Sequence, residues 1–121
     1  MPYAAPALDV RPMTRLFKAL GEETRLRMVA LLAHGELCVC HIEAALGLTQ
    51  TTASRHLSVL RAAGVVEPRR NGNWVYYRLA PQPDDDCRRQ LKSLTGAFAK
   101  NDVLGRDVER LLQAKGPLAC R

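Results

Sequence analysis

Two short helical patterns split by a glycine, followed at once by a β-hairpin signal, restrict what residues 40–79 can fold into. The first pattern covers about Cys40 to Leu46 and stops at Gly47. The second opens at Thr49, whose hydroxyl suits a helix N-cap, and runs to about Ala63 before Gly64. Within it Ala53, Leu57 and Leu60 recur at i, i+4 and i+7 and form one apolar stripe, leaving Gln50, Thr51, Ser54, Arg55 and Arg61 off that stripe. Two helices joined by a short Gly-containing turn, the second with a polar outer face, read as a helix-turn-helix. Next, "VVEP" and "WVYYRLA" are β-type runs joined by "RRNGN". Asn71-Gly72 predicts the turn, because both residues tolerate positive φ.

The flanks extend this unit to a whole domain. Pro2, Pro6 and Pro12 predict an irregular arm over residues 1–13. From Thr14, the positions of Leu16, Phe17 and Leu20 predict a helix closed by Gly21. A second helix starts near Glu22, carries Leu26, Val29 and Ala33, and stops at His34-Gly35. After the hairpin, Asp84, Asp85 and Asp86 suit a helix N-terminus. One long helix is expected from there to about Lys115 on Leu91, Leu94, Phe98, Leu104, Val108, Leu111 and Leu112, with 116–121 as a flexible tail. The fold class is mainly α with a small β-hairpin: a winged helix-turn-helix over residues 14–115. The long terminal helix is too apolar for the surface of so small a domain, and Gly96 and Gly105 permit close approach of another helix. A homodimer through the first and last helices follows.

Charge points to the partner. Between Thr49 and Leu79 stand Arg55, Arg61, Arg69, Arg70 and Arg78 against Glu67, a local excess of four positive charges out of a formal +6. A basic concentration on a helix-turn-helix and its hairpin favours a polyanion, here double-stranded DNA. The N-terminal half of the second helix supplies Gln50, Thr51, Thr52, Ser54, Arg55 and His56. Gln can pair with adenine, Arg with guanine, and hydroxyls with bases or phosphates. At the hairpin tip Arg69, Arg70, Asn71 and Asn73 can reach phosphates or the minor groove. Trp74, Tyr76 and Tyr77 read as strand packing. No apolar run reaches the ~20 residues of a membrane span, and "MPYAAPALDVRP" lacks the features of a secretion signal. A cytoplasmic location, without membrane contact, is expected.

Four cysteines in such a chain are expected as thiols. Cys38 and Cys40, in "ELCVC", are the informative pair. At i and i+2 they cannot share a face of a regular helix, so joint ligation of a soft ion requires an unwound helix start. Buried apolar filling and a redox pair are the other readings of the same spacing.

Together, "ELCVC", "SRHLSVLRAAGVV" and "GNWVYYRL" resemble the ArsR/SmtB family of metal-sensing repressors, in its arsenic-responsive branch, over roughly residues 14–80. The resemblance implies a dimeric repressor that leaves operator DNA over metalloid-resistance genes when trivalent arsenic or antimony binds, with Cys38 and Cys40 as sensor thiols. Where that branch has a third cysteine, this chain has Glu43. A third donor is then Cys87, Cys120, an external thiol or none, and a two-thiol site also suits organoarsenicals. Other branches bind transition metals through Asp and His on the last helix. Here that helix carries Asp102, Asp107 and Glu109 without histidine, so no second metal site is expected. No catalytic constellation is present, so no enzymatic activity is expected. The alternatives are a winged-helix regulator switched by thiol oxidation without a metalloid, and a thiol metal carrier that does not bind DNA.

Overall fold

A computed structural model describes residues 9–98 and 100–114. The order is α1 (Arg11–Leu20), α2 (Glu23–Leu32), β1 (Leu37–Cys38), α3 (Val39–Leu46), α4 (Gln50–Ala62), β2 (Val66–Asn71), β3 (Trp74–Leu79), α5 (Asp85–Phe98) and α6 (Asp102–Ala114). Helices α3 and α4 form the helix-turn-helix and the β2–β3 hairpin forms the wing. The core gathers Leu16 and Leu20 of α1, Met28, Val29 and Leu31 of α2, Ile42 and Ala45 of α3, and Ala53, Leu57 and Leu60 of α4, with Val65, Val66 and Leu91.

Local chemistry accounts for the boundaries. Thr49 accepts a hydrogen bond from the Thr52 backbone N–H at 3.2 Å and caps α4. Glu22 does the same for α2 through the Arg25 N–H at 3.0 Å. Arg25 also donates through Nε to the Ala19 carbonyl at 2.6 Å, satisfying the end of α1. Gly47 closes α3 at φ 65°.

Four expectations need correcting. First, α1 starts at Arg11, so Arg11, Pro12 and Met13 belong to the helix rather than to an arm. A proline in the first turn loses no hydrogen bond, because that N–H has no intrahelical partner. The rest of the expected arm, residues 1–8, and the expected tail lie outside the described residues. Second, the hairpin turn is shifted by one: Asn71 pairs with Trp74, so Gly72 and Asn73 form the turn. Gly72 alone takes positive φ, 61°, which matches glycine at the first central position of a two-residue turn.

Third, the terminal helix is two helices. Phe98 O accepts from the Asn101 N–H at 3.1 Å and ends α5. The Asn101 side chain then accepts from the Leu104 N–H at 3.1 Å and starts α6, with Asp102 in the first turn. The turn folds α6 back against α2 and α3 of its own chain.

Fourth, the hairpin is part of a three-stranded sheet of order β1-β3-β2, antiparallel throughout. Leu37 and Cys38 pair with Tyr77 and Tyr76. The wing is therefore joined by backbone hydrogen bonds to the segment that carries the first thiol.

Candidate thiol site and nucleic-acid interface

Cys38 is the last residue of β1 and the N-cap of α3, with extended φ −67° and ψ 145°. Cys40 lies one residue inside the helix. The conflict in the i, i+2 spacing disappears because only one of the two residues is helical. Their sulfurs lie 2.9 Å apart, too far for a bond between them and close enough to share one soft ion. The expectation that joint ligation needs an unwound helix is thus corrected: the strand-to-helix junction brings the sulfurs together with α3 intact. Cys38 is buried and Cys40 half-buried.

The pair opens into a cleft of about 340 Å³ that is also lined by Glu43, Gln50, Ser54, Leu57, Trp74 and Tyr77. The two close sulfurs, the first turns of α4 and the root of the wing thus border one space. An occupant bound at the sulfurs stands beside Gln50 and Ser54 of α4.

On α4, Gln50, Thr51, Ser54 and Arg55 are exposed on the outer face, together with Ser58 and Arg61. Thr52 is half-buried, with its hydroxyl 3.0 Å from that of Thr49. His56 turns inward. Its Nδ1 lies 3.7 Å from a Glu22 carboxylate oxygen and 3.4 Å from Arg25 Nη1, and its side chain is 12% exposed. Its inclusion among the base-reading residues is therefore corrected: His56 joins α4 to the start of α2. Partial burial raises the Glu22 carboxyl, but hydrogen bonds from the Arg25 and Thr24 backbone, with the His56 and Arg25 charges, leave it below the usual range.

On the wing, Arg70, Asn71 and Asn73 are exposed. Arg69 is engaged: its Nε donates to the Glu36 carboxylate at 3.0 and 3.1 Å, and its guanidinium lies 4.9 Å from the centroid of the Tyr76 ring. That pairing lowers the Glu36 carboxyl from its ordinary value. Sequence reasoning grouped Arg69 with the DNA-facing residues because the β1 pairing, and hence the nearness of Glu36, was not visible in a two-residue strand.

Alongside this geometry, a helix-turn-helix with an exposed polar face, a basic wing and a pair of close sulfurs at a strand-to-helix junction, the sequence is similar to known regulators. Residues 22–67 match the family described as "Bacterial regulatory protein, arsR family". The arsenic resistance transcriptional regulator ArsR1 of Pseudomonas putida is 43% identical over 110 residues, covering 87% of this chain and 84% of that protein. The chain belongs to the arsR family.

The arsenical resistance operon repressor of Escherichia coli is 52% identical over 68 residues, 55% of this chain and 58% of that protein. Among solved structures, the homodimeric winged helix-turn-helix DNA-binding domain of a possible ArsR-family regulator from Mycobacterium bovis is 34% identical, with a TM-score of 0.63 over 81% of this chain and 92% of that one. This ArsR-family chain is a DNA-binding transcriptional repressor and not an enzyme.

Cys87 is separate from the pair. Cys87 sits in the first turn of α5, buried in the core that also holds Leu16 and Leu91. Burial, then the Asp84 carboxylate beside it, pushes its thiol above the ordinary value, the opposite of what a thiolate ligand needs. Among the described residues no group of three His, Cys, Asp or Glu side chains is placed to hold a metal ion. Neither Cys87 nor Glu43 thus completes a three-donor site with Cys38 and Cys40 within one chain. Cys120 lies outside the described residues. Asp107 is buried at 1% exposure and bound by Arg27, so it is committed to the fold. No helix among the described residues is long and apolar enough to cross a membrane.

Proposed function

We propose that this chain is a cytoplasmic homodimer that occupies operator DNA over metalloid-resistance genes and leaves it when trivalent arsenic or antimony is captured by Cys38 and Cys40. The observation that carries the reading is the 2.9 Å separation of the two sulfurs at the edge of a cleft shared with Gln50 and Ser54. The arsenic-resistance names of the P. putida and E. coli relatives support it. Under a thiol or phosphine reductant that returns Cys40 from its disulfide to a thiol, capture of arsenite balances as two S–H protons leaving with two arsenic-bound hydroxides as two waters, while two As–S bonds form. The third position on arsenic is then open to an external thiol, to Cys120, or to the carbon substituent of an organoarsenical. DNA contacts are assigned to Gln50, Thr51, Ser54 and Arg55 in the major groove and to Arg70, Asn71 and Asn73 from the wing.

The dimer is assigned to α1 and α5. They pack on each other, and Phe17 of α1 is 46% exposed beside them, an apolar surface that a second copy covers. The homodimeric M. bovis relative supports this assignment. With α6 folded back on its own chain, α5 replaces the single long helix in the interface.

The sulfur separation equally favours one rival, a switch by disulfide formation. Operator release on adding sodium arsenite under strong phosphine reductant, lost in Cys38→Ser and Cys40→Ser variants, is the expected result. Release that needs an oxidant and ignores arsenite establishes the rival instead. X-ray absorption of the arsenite-loaded protein gives the sulfur count, and the Cys120→Ser variant identifies a third donor. Retention of full release in the Cys38→Ser, Cys40→Ser double variant rejects the proposal.

A further inference from the structure

The three-stranded sheet places β3 between the thiol strand and the outer wing strand. Cys38, Tyr76 and Arg69 lie directly opposite one another on β1, β3 and β2, and so form one row across the sheet. Side chains opposite one another share a face, and here they touch: the Arg69 guanidinium stacks over the Tyr76 ring. Beyond the ring it meets the Glu36 carboxylate, two residues before Cys38. Two rows along, on the same face, Arg78 of β3 donates to Glu67 of β2 at 2.6 Å. One long side chain from the wing thus crosses the middle strand and grips the residue that leads into the thiol strand.

As a source of stability this strap is minor. Glu36 and Arg69 are partly solvated, with side chains 27% and 48% exposed, and such pairs contribute little. Its geometry is more specific than its energy. A guanidinium that holds a carboxylate through two nitrogens while standing over an aromatic ring has its position set in two directions at once. The strap therefore makes the Glu36–Cys38 segment and β2 move as one piece.

We propose that Arg69 is a positioning residue, which through Glu36 and Tyr76 transmits inducer capture at Cys38 to the wing rather than contacting DNA phosphate. A displacement of Cys38 on capture drags Glu36, Glu36 drags the guanidinium, and β2 carries Arg70 and Asn71 out of register with the duplex. This inference rests on reading Cys38 and Cys40 as the inducer site.

The test uses the full chain, a duplex selected from a random pool by the arsenite-free protein, and sodium arsenite under phosphine reductant. Two quantities are read: the ratio of DNA Kd with and without arsenite, and the arsenite titration of the free protein through Trp74, the single tryptophan, which borders the thiol cleft. A family coupling in the ordinary range gives a wild-type ratio of ~5–150. The proposal expects Glu36→Gln to cut that ratio severalfold with the arsenite-free Kd and the Trp74 titration unchanged. Arg69→Lys keeps the charge but loses the fork, and is expected to cut the ratio equally. An unchanged ratio in Glu36→Gln overturns the proposal. So does an Arg69→Gln variant that lowers the salt dependence of DNA binding by about one counterion while Arg69→Lys restores it, since that behaviour marks a phosphate contact. If the Cys38→Ser, Cys40→Ser variant still releases DNA with arsenite, the thiol reading itself has failed; if only the thiol variants lose release, the strap has.

Discussion

Arg27 of α2 holds Asp107 of α6 in a two-pronged grip, Nε to Oδ2 at 2.8 Å and Nη2 to Oδ1 at 2.7 Å, across 80 residues of sequence. Asp107 is the one buried charged side chain among the described residues, at 1% exposure. Arg110 reaches the same carboxylate at 3.4 Å. The grip lays α6 against α2 and α3 and so seats the C-terminal helix on the element that carries Cys40. Removing Arg27 leaves the desolvated carboxylate only the longer Arg110 contact, whereas removing the carboxylate leaves an arginine that can turn to water. Arg27→Met is therefore expected to cost about 3 kcal/mol and Asp107→Leu clearly less. Urea unfolding of the two variants gives the ranking, and equal losses contradict the asymmetry.

The reading helix divides into residues that face outward and one that does not. Arg55 is exposed on α4, and its loss as Arg55→Ala is expected to cost ~1–3 kcal/mol of operator affinity and to relax specificity at one base pair. Arg70→Ala on the wing is expected to weaken all duplexes alike and to reduce the salt slope by about one. His56→Ala is expected to leave base specificity intact and to lower stability instead, because its imidazole meets Glu22 and Arg25. Binding selections with each variant, together with melting curves, separate the three. A changed base preference in His56→Ala contradicts its inward placement.

Much of this was written in the sequence, and the misses have physical causes. The Ala53, Leu57, Leu60 stripe and the Thr49 cap identified α4 because helical periodicity and capping are local. The wing was equally plain, but its turn slipped by one residue: Asn71 tolerates positive φ, yet the structure places that demand on Gly72 alone. The α5–α6 break was carried by Asn101 and Asp102, a cap signal masked by the continuous apolar spacing from Leu91 to Leu112. Strand β1 was invisible because two residues carry no periodicity, and its partner lies some 39 positions away at Tyr76 and Tyr77. Missing β1 made the Cys38–Cys40 spacing look strained and left Arg69 apparently free for DNA. His56 failed for a similar reason, since its partners Glu22 and Arg25 belong to a distant helix.

Gly72 offers a clean measure of the wing. Its φ of 61° is a left-handed conformation, and a methyl group built there meets nothing within 4 Å. Gly72→Ala therefore carries a local backbone cost of about 1–2 kcal/mol without a clash against any other part of the fold. The expected signature is faster amide exchange confined to the β2–β3 hairpin, with the thiol titration through Trp74 retained. A wild-type exchange pattern contradicts the assigned turn.

Cys87 links the fold to alkaline pH. Its thiol is buried in the first turn of α5, and Asp84 both accepts from its backbone N–H at 2.9 Å and places a negative charge beside the sulfur. Burial first, and that carboxylate second, hold its proton on above the ordinary value of 9.0. A folded-state value above the unfolded one means that the folded chain retains the proton longer. The contribution to stability is whole below about pH 9 and declines as pH rises through the folded value. The free energy of unfolding is thus expected to fall as pH rises above about 9, and to fall less steeply in Cys87→Ala. The same burial predicts that alkylation of Cys87 by iodoacetamide at mildly alkaline pH proceeds only as fast as the chain opens, so its rate should rise with urea in step with unfolding. A rapid, urea-independent reaction at Cys87 contradicts both its burial and its exclusion from the thiolate site, and returns it to the candidates for the third sulfur on arsenic.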